Sequence, residues 1–147
     1  MAQALQLAHK AEAAGEVPVG AVLVKDNQLI AEGWNQPISS HDATSHAEIM
    51  AMREAGLKLN NYRLVDTTMY VTLEPCSMCV GAMIHARVAK VVYGAPEPRT
   101  GALGGAFNLL EANQHNHLFE VESGVLADES KALLQKFFRS RRKNSSE

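Results

Sequence analysis

Two cysteines, one histidine and one glutamate carry the chemistry legible in this chain of 147 residues. Cys76 and Cys79 are its only cysteines and stand in PCSMC, where a helical pattern opens after Pro75. At i and i+3 they face one side of a helix, in the first turn, where free N–H groups and the positive dipole end favour thiolates. Zinc takes cysteine and histidine ligands, and two thiolates need a partner. The best candidate is His46 in HAE, also at the start of a helical pattern, with Glu48 two residues on. At a first turn both side chains can reach over the helix end. Three ligands, His46, Cys76 and Cys79, leave one tetrahedral position open, the catalytic arrangement and not the closed structural one. A water there ionises near neutrality. Glu48 need not bind metal; it can take the water's proton and pass it to a substrate nitrogen. The nitrogen then leaves as ammonia, which is hydrolytic deamination.

Each residue alone has a blander account. Glu48 at a helix start is more often a dipole-favoured or capping residue, and a lone histidine is more often surface or core than ligand. A redox dithiol would explain C-x-x-C and leave H-x-E without a reason. A closed zinc module needs a fourth ligand, and the only other tight candidate is HNH, His115 and His117, read here as a surface loop. His9, His41 and His85 are structural by default. The joint pattern H-x-E, strand, P-C-x-x-C favours the catalytic zinc.

The elements that must position these residues follow from periodicity. Apolar residues at helical spacing from Ala4 to Ala14, ended by Gly15, predict a first helix, and leave room for a few residues upstream. VGAVLVKDNQLIAEGW predicts two strands around an Asp26–Asn27 turn, and NQPISSHDAT a polar loop. SHAEIMAMREAG predicts a helix capped by Ser45 and ended by Gly56. TMYVTL, RVAKVVYG and HLFEVESGV read as strands, CSMCVGAMIHA and ADESKALLQKFFRSRRK as helices, and APEPRTGALGG as a functional loop. A leading hairpin followed by alternating strands and helices implies an α/β chain, a mixed sheet covered by helices on both faces.

Bulk properties narrow the class. A chain 46% hydrophobic and 20% charged buries a core and is not disordered. One domain over 1–143 is expected, with a polar tail over 144–147. The net charge of −2 argues against a generally basic nucleic-acid binder, while leaving local patches open. No run approaches the roughly 18 apolar residues of a membrane span, and the N-terminus lacks the layout of a secretory signal. With only two close cysteines, a reducing cytoplasm is the default.

Seven segments, EVPVGAVLV, EGWN, HAEIMAMREAG, NYRL, YVTLEPCSMCVGAMIHARV, TGA and LLQKFFRSRRK, are spread along nearly the whole chain, from Glu16 to Lys143. Through them it resembles the cytidine-deaminase-like superfamily, and within it the bacterial tRNA-specific adenosine deaminases. The short H-x-E and P-C-x-x-C motifs identify the superfamily; the longer segments identify the tRNA enzymes. That resemblance implies a three-layer α/β/α fold on a five-stranded mixed sheet and one zinc ion per subunit. It implies a cytoplasmic homodimer that converts adenosine at the wobble position of a tRNA anticodon stem-loop to inosine, with no membrane or DNA partner. By motif match, His46, Cys76 and Cys79 are the zinc ligands and Glu48 the proton shuttle. Asn35 of EGWN matches a residue that contacts the flipped base, where a turn-capping asparagine would otherwise be the reading. The Ala47 N–H is a second base contact. Glu97 stands where many relatives carry aspartate and is assigned a sugar contact, one methylene longer.

Arg139, Arg141, Arg142 and Lys143 make a cationic helix end. For any one of them a solvated face and a favourable dipole suffice; together they offer phosphate contacts to an RNA loop, with Phe138 nearby. Phe137 and Phe138 are otherwise expected in the core. Two rivals share the zinc site. A deaminase of free bases or nucleosides would not need the basic helix, and a silent zinc-binding RNA adaptor would not need Glu48.

Overall fold

The computed structural model describes residues 1–112, 115 and 117–145, without the side chains of 144 and 145. Helix α1 (Ala2–Ala13) leads into strands β1 (Gly20–Lys25) and β2 (Gln28–Trp34). Asp26 and Asn27 join them with φ of 53° and 60°, the mirror-image turn that matches strand twist and that Asp and Asn tolerate. There follow α2 (Pro37–Ser40), α3 (Ala47–Leu59), β3 (Thr68–Leu73), α4 (Ser77–Ala86), β4 (Lys90–Ala95), β5 (Glu120–Glu122) and α5 (Ala127–Ser145). The strand order is β2-β1-β3-β4-β5. Strand β1 pairs antiparallel with β2 and β3, and β3, β4 and β5 run parallel. This is the five-stranded mixed sheet that was expected.

Register assigns the layers. Val22, Tyr70 and Val92 are direct partners along β1, β3 and β4, so they share a face. Val22 packs with Ala4 and Leu7 of α1. Gly94, two residues beyond Val92, lies against Ser130 of α5. Helices α1 and α5 therefore cover this face. On the other face Ala21, Leu23, Met69 and Val71 join Ala51 and Ala55 of α3 and Val80 and Met83 of α4 in the main core. The small residues of α3 allow a close approach to the sheet: a Cβ on Gly33 of β2 would stand 2.2 Å from the Ala47 carbonyl oxygen. The start of α3, which carries the site, is thereby seated directly on β2.

Four local readings are corrected. The loop after β2 contains α2, a single turn with Pro37 at its start. Its N–H groups at Ile38 and Ser39 donate to the Glu16 carboxylate at 3.1 and 2.7 Å, and Glu16 is only 1% exposed. His46, not Ser45, is the N-cap of α3; Ser45 instead accepts from the Ser40 hydroxyl at 2.9 Å. Gly56 does not end α3, which continues to Leu59 and stops at Asn60 with φ of 51°. Helix α5 takes in residues 144 and 145 of the expected tail; residues 146 and 147 lie outside those described.

Candidate active site

Two helices deliver the site end-on. His46 is the N-cap of α3 and Cys76 the N-cap of α4, both with extended backbone. Cys79 stands in the first turn of α4 and is buried. The His46 Nδ1 lies 3.6 Å from the Cys76 Sγ and 3.6 Å from the Cys79 Sγ, and the two sulfurs are 3.9 Å apart. A tetrahedral zinc with Zn–S of about 2.3 Å and Zn–N of about 2.0 Å needs edges of about 3.8 Å between sulfurs and about 3.5 Å from sulfur to nitrogen. The three donors meet that requirement with no rearrangement, and they form the one group of this kind found among the described residues.

The charges agree with the geometry. The Cys79 thiol and His46 hold Cys76 down at about 3, against the upward push of burial. Cys76 and burial push Cys79 up, and the bond to Cys76 raises His46. Metal binding at these three atoms must release protons. The N-termini of α3 and α4 converge here and favour the thiolates.

Glu48, two residues beyond His46 and 4% exposed, lies at the same helix end. Burial raises its carboxyl above the ordinary range, partly offset by its own backbone N–H and by His46. A buried carboxyl with a raised pKa, beside a metal site, is suited to carrying protons.

Asn35 lies just beyond β2, with its backbone N–H on the Val19 carbonyl at 3.1 Å. Its Oδ1 accepts the Ala47 N–H at 2.8 Å. That bond fixes the amide's orientation, since a backbone N–H must face the oxygen, and leaves the Nδ2 donors for other use. It also corrects the reading of Ala47: the amide offered to a base is engaged by Asn35, and Ala47 is fully buried.

Glu97 sits in the loop between β4 and β5. Its Oε1 accepts the Arg99 N–H at 2.9 Å, so part of its carboxylate shapes its own loop. The same loop reaches Glu74, a residue that sequence reading passed over. Glu74 is 3% exposed and accepts backbone N–H groups of Glu97, Leu103 and Gly105 at 2.9, 2.9 and 2.8 Å. The signal was present in TMYVTLEPC, an acid closing a strand of apolar and β-branched residues.

The basic end of α5 divides. Arg141 donates from Nη2 to the Gly15 carbonyl and stacks its guanidinium 5.0 Å from the centre of the Phe137 ring. It ties α5 to the end of α1, a structural role for Arg141 beside the RNA contact expected of it. Arg139 and Arg142 are exposed on the same helix. Phe137 is core, while Phe138 is 44% exposed, against the expectation that both are buried. Phe138, Ile38, Pro37, Asn35 and Arg141 line a cavity of about 370 Å³.

Comparisons with known proteins converge on the same chemistry. The profile of the cytidine and deoxycytidylate deaminase zinc-binding region matches residues 1–95. The chain is 52% identical to the tRNA-specific adenosine deaminase of Haemophilus influenzae, over 97% of this chain and 83% of that protein. It is 46% identical to the Bacillus subtilis tRNA-specific adenosine deaminase, over 97% and 89%. Among solved structures, one from work on A-to-I editing by tRNA:A34 deaminases at the wobble position superposes with a TM-score of 0.85 and 39% identity, covering 89% of this chain and 95% of that one. A guanine deaminase of Nitrosomonas europaea superposes at 0.75 with 25% identity, covering 92% and 81%. The backbone is thus similar to deaminases of more than one base.

Proposed function

The chain belongs to the tRNA-specific adenosine deaminases, and we propose on that footing that it hydrolyses the adenosine at the wobble position of a tRNA anticodon to inosine, releasing ammonia. The observation that carries this reading is the His46–Cys76–Cys79 triangle, sized for zinc, with the buried Glu48 carboxyl at the same helix end. His46 Nδ1, Cys76 Sγ and Cys79 Sγ would hold the ion. Zinc bound there supplies Lewis acidity toward water.

The remaining work falls to the chain. Glu48 takes one proton from water at a carboxylate oxygen and delivers it to a ring nitrogen of the purine, then carries that water's second proton to the exocyclic amine, which leaves as ammonia while the oxygen stays on the ring carbon. Asn35, its Oδ1 held by Ala47, offers the Nδ2 donors to the base. The cavity beside Asn35 is mainly apolar, with Pro37, Ile38 and Phe138 on its wall, which suits a base splayed from a loop. An anticodon loop presents such a base at low unstacking cost. Glu97, Arg139 and Arg142 are assigned to the sugar and phosphates around it.

The homodimer finds support in the outer face of α3 and α4. Ile49, Met52, Leu57, Tyr62, Ala82 and Ala86 line a cavity of about 590 Å³ there. Leu57 and Tyr62 are 85% and 75% exposed, which is unusual for a face meant for water. The cytoplasm is the compartment where the substrate is found, and among the described residues no helix is long and apolar enough to cross a membrane.

The test is direct. Purified protein is mixed with an anticodon stem-loop carrying adenosine at the wobble position, and in parallel with free adenosine, guanine and cytidine. Inosine in the stem-loop with little turnover of the free compounds is expected. Robust deamination of a free base or nucleoside would overturn the tRNA assignment.

A further inference from the structure

We propose that Glu74 is a positioning residue: its buried carboxylate shapes the loop 97–107 beside the metal ligands and so sets the affinity for RNA. The inference rests on the deaminase reading for its assay and on the backbone for its argument. Glu74 directly follows β3, two residues before Cys76, with its own N–H on the Ala95 carbonyl at 2.9 Å. Its Oε1 takes the Glu97 N–H, and its Oε2 takes those of Leu103 and Gly105. Among the described residues no ion pair reaches it. The charge is therefore compensated by three peptide dipoles of one loop, an internal version of an anion nest.

Two further observations show how closely the loop is built on this group. A Cβ on Gly101 would stand 2.4 Å from the Glu74 carboxyl carbon, and one on Gly105 would stand 2.4 Å from its Oε1. Neither glycine has positive φ, so space and not backbone conformation requires glycine at both. The loop is also sewn to the ligand turn. Gly101 bridges Cys76, and the Ala102 N–H donates to the Pro75 carbonyl at 2.9 Å. Glu74 thus fixes where the loop, Glu97 included, sits relative to the zinc ligands, without touching substrate itself.

Glu74→Gln is the informative change. A carboxylate accepts at both oxygens, whereas glutamine has one acceptor and one donor. With its oxygen toward Leu103 and Gly105, it turns an NH₂ toward the Glu97 N–H, and the Glu97 end of the loop comes away. Steady-state kinetics on the stem-loop, with zinc content measured alongside, read the result. The expected outcome is a KM raised at least about tenfold, kcat within about threefold, and full zinc occupancy. Glu74→Asp, whose carboxylate is one methylene short of the three donors, is expected to raise KM in the same way and decides the matter if Glu74→Gln does not fold. An unchanged KM in the folded variants, or a loss confined to kcat and zinc, would overturn the inference. If wild-type protein does not deaminate the stem-loop, the deaminase reading fails separately. Fluorescence anisotropy with the same RNA then still tests Glu74: weaker binding by the variants supports it and equal binding overturns it.

Discussion

The Oδ1 of Asn35 accepts the Ala47 N–H at 2.8 Å, and this bond joins the end of β2 to the helix start that carries His46 and Glu48. On the proposed reading Asn35 has two duties, one on each side of its amide: holding Ala47 and offering its Nδ2 donors to the base. Asn35→Ala removes both. It leaves a buried N–H unsatisfied, at a cost of about 1–3 kcal/mol in stability, and lowers kcat/KM as well. Asn35→Asp keeps the acceptor for Ala47 and removes the Nδ2 donors. We expect Asn35→Asp to melt near wild type, to retain zinc and to lose about a hundredfold in kcat/KM. A variant that melts normally and works normally would remove Asn35 from the substrate side.

Glu48 is the residue that separates an enzyme from a zinc-binding adaptor. The three ligand atoms do not include it. Glu48→Gln should therefore keep one zinc per chain by metal analysis and lose about 10²–10⁴ in kcat. Cys79→Ser should lose both metal and turnover. Chelation of the wild type should abolish activity reversibly, with zinc restoring it. Near-normal turnover by Glu48→Gln would dismiss the proton-shuttle role.

The parts of this design legible in the sequence are those encoded locally. The P-C-x-x-C and H-x-E spacings announce ligands because a helix start places such neighbours on one end. The sheet could be read because TMYVTL and the Asp26–Asn27 turn carry their conformations in their own residues. What stayed hidden depends on distant partners. Arg141 finds the Gly15 carbonyl 126 positions away, and nothing in RSRRK distinguishes it from Arg139. Glu74 meets its three donors 23 to 31 positions later. Gly56 was misread as a helix stop because glycine signals one on average, whereas Asn60 takes the left-handed conformation here. The amide of Ala47 looked open only because its acceptor, Asn35, lies outside the motif.

The two faces of the α5 cations can be told apart by salt. Arg139→Ala should leave the melting temperature unchanged, weaken RNA binding uniformly, and reduce the slope of log K against log salt by about one unit. Arg141→Ala should instead destabilise the fold by about 1 kcal/mol, because its carbonyl bond to Gly15 ties α5 to α1. Its effect on the salt slope should be the smaller of the two. Reversed results would place Arg141 on the RNA side. Titrations between low and moderate salt, paired with thermal melts, make the comparison.

If the α3–α4 face joins two copies, a charge in its centre should part them. Leu57 is the most exposed large apolar residue of that face, and it lies away from the ligands. Leu57→Asp should convert a dimer to a monomer by light scattering or sedimentation, with zinc retained. A wild-type chain that runs as a monomer at about 50 μM would refute the dimer, since a stable interface holds well below that concentration. A variant that remains dimeric would place the interface elsewhere.

Glu16 couples stability to acid. Burial raises its carboxyl, but the N–H groups of Ser39 and Ile38, with Arg141 nearby, outweigh that and leave it below its ordinary value of 4.5. A depressed carboxyl contributes stability that is fully present above its unfolded value and is lost as pH falls through its lower folded value. Glu16→Gln cannot titrate, so its deficit relative to wild type should be full at neutral pH and shrink below pH 4.5. Other carboxylates titrate alike in both proteins, so the difference isolates Glu16. Thermal melts from about pH 7 to about pH 3 measure it, and an equal gap at both ends would show that the charge of Glu16 does not hold α2. Because α2 leads from Asn35 toward His46, loosening it should also raise KM for the stem-loop at neutral pH while leaving zinc in place.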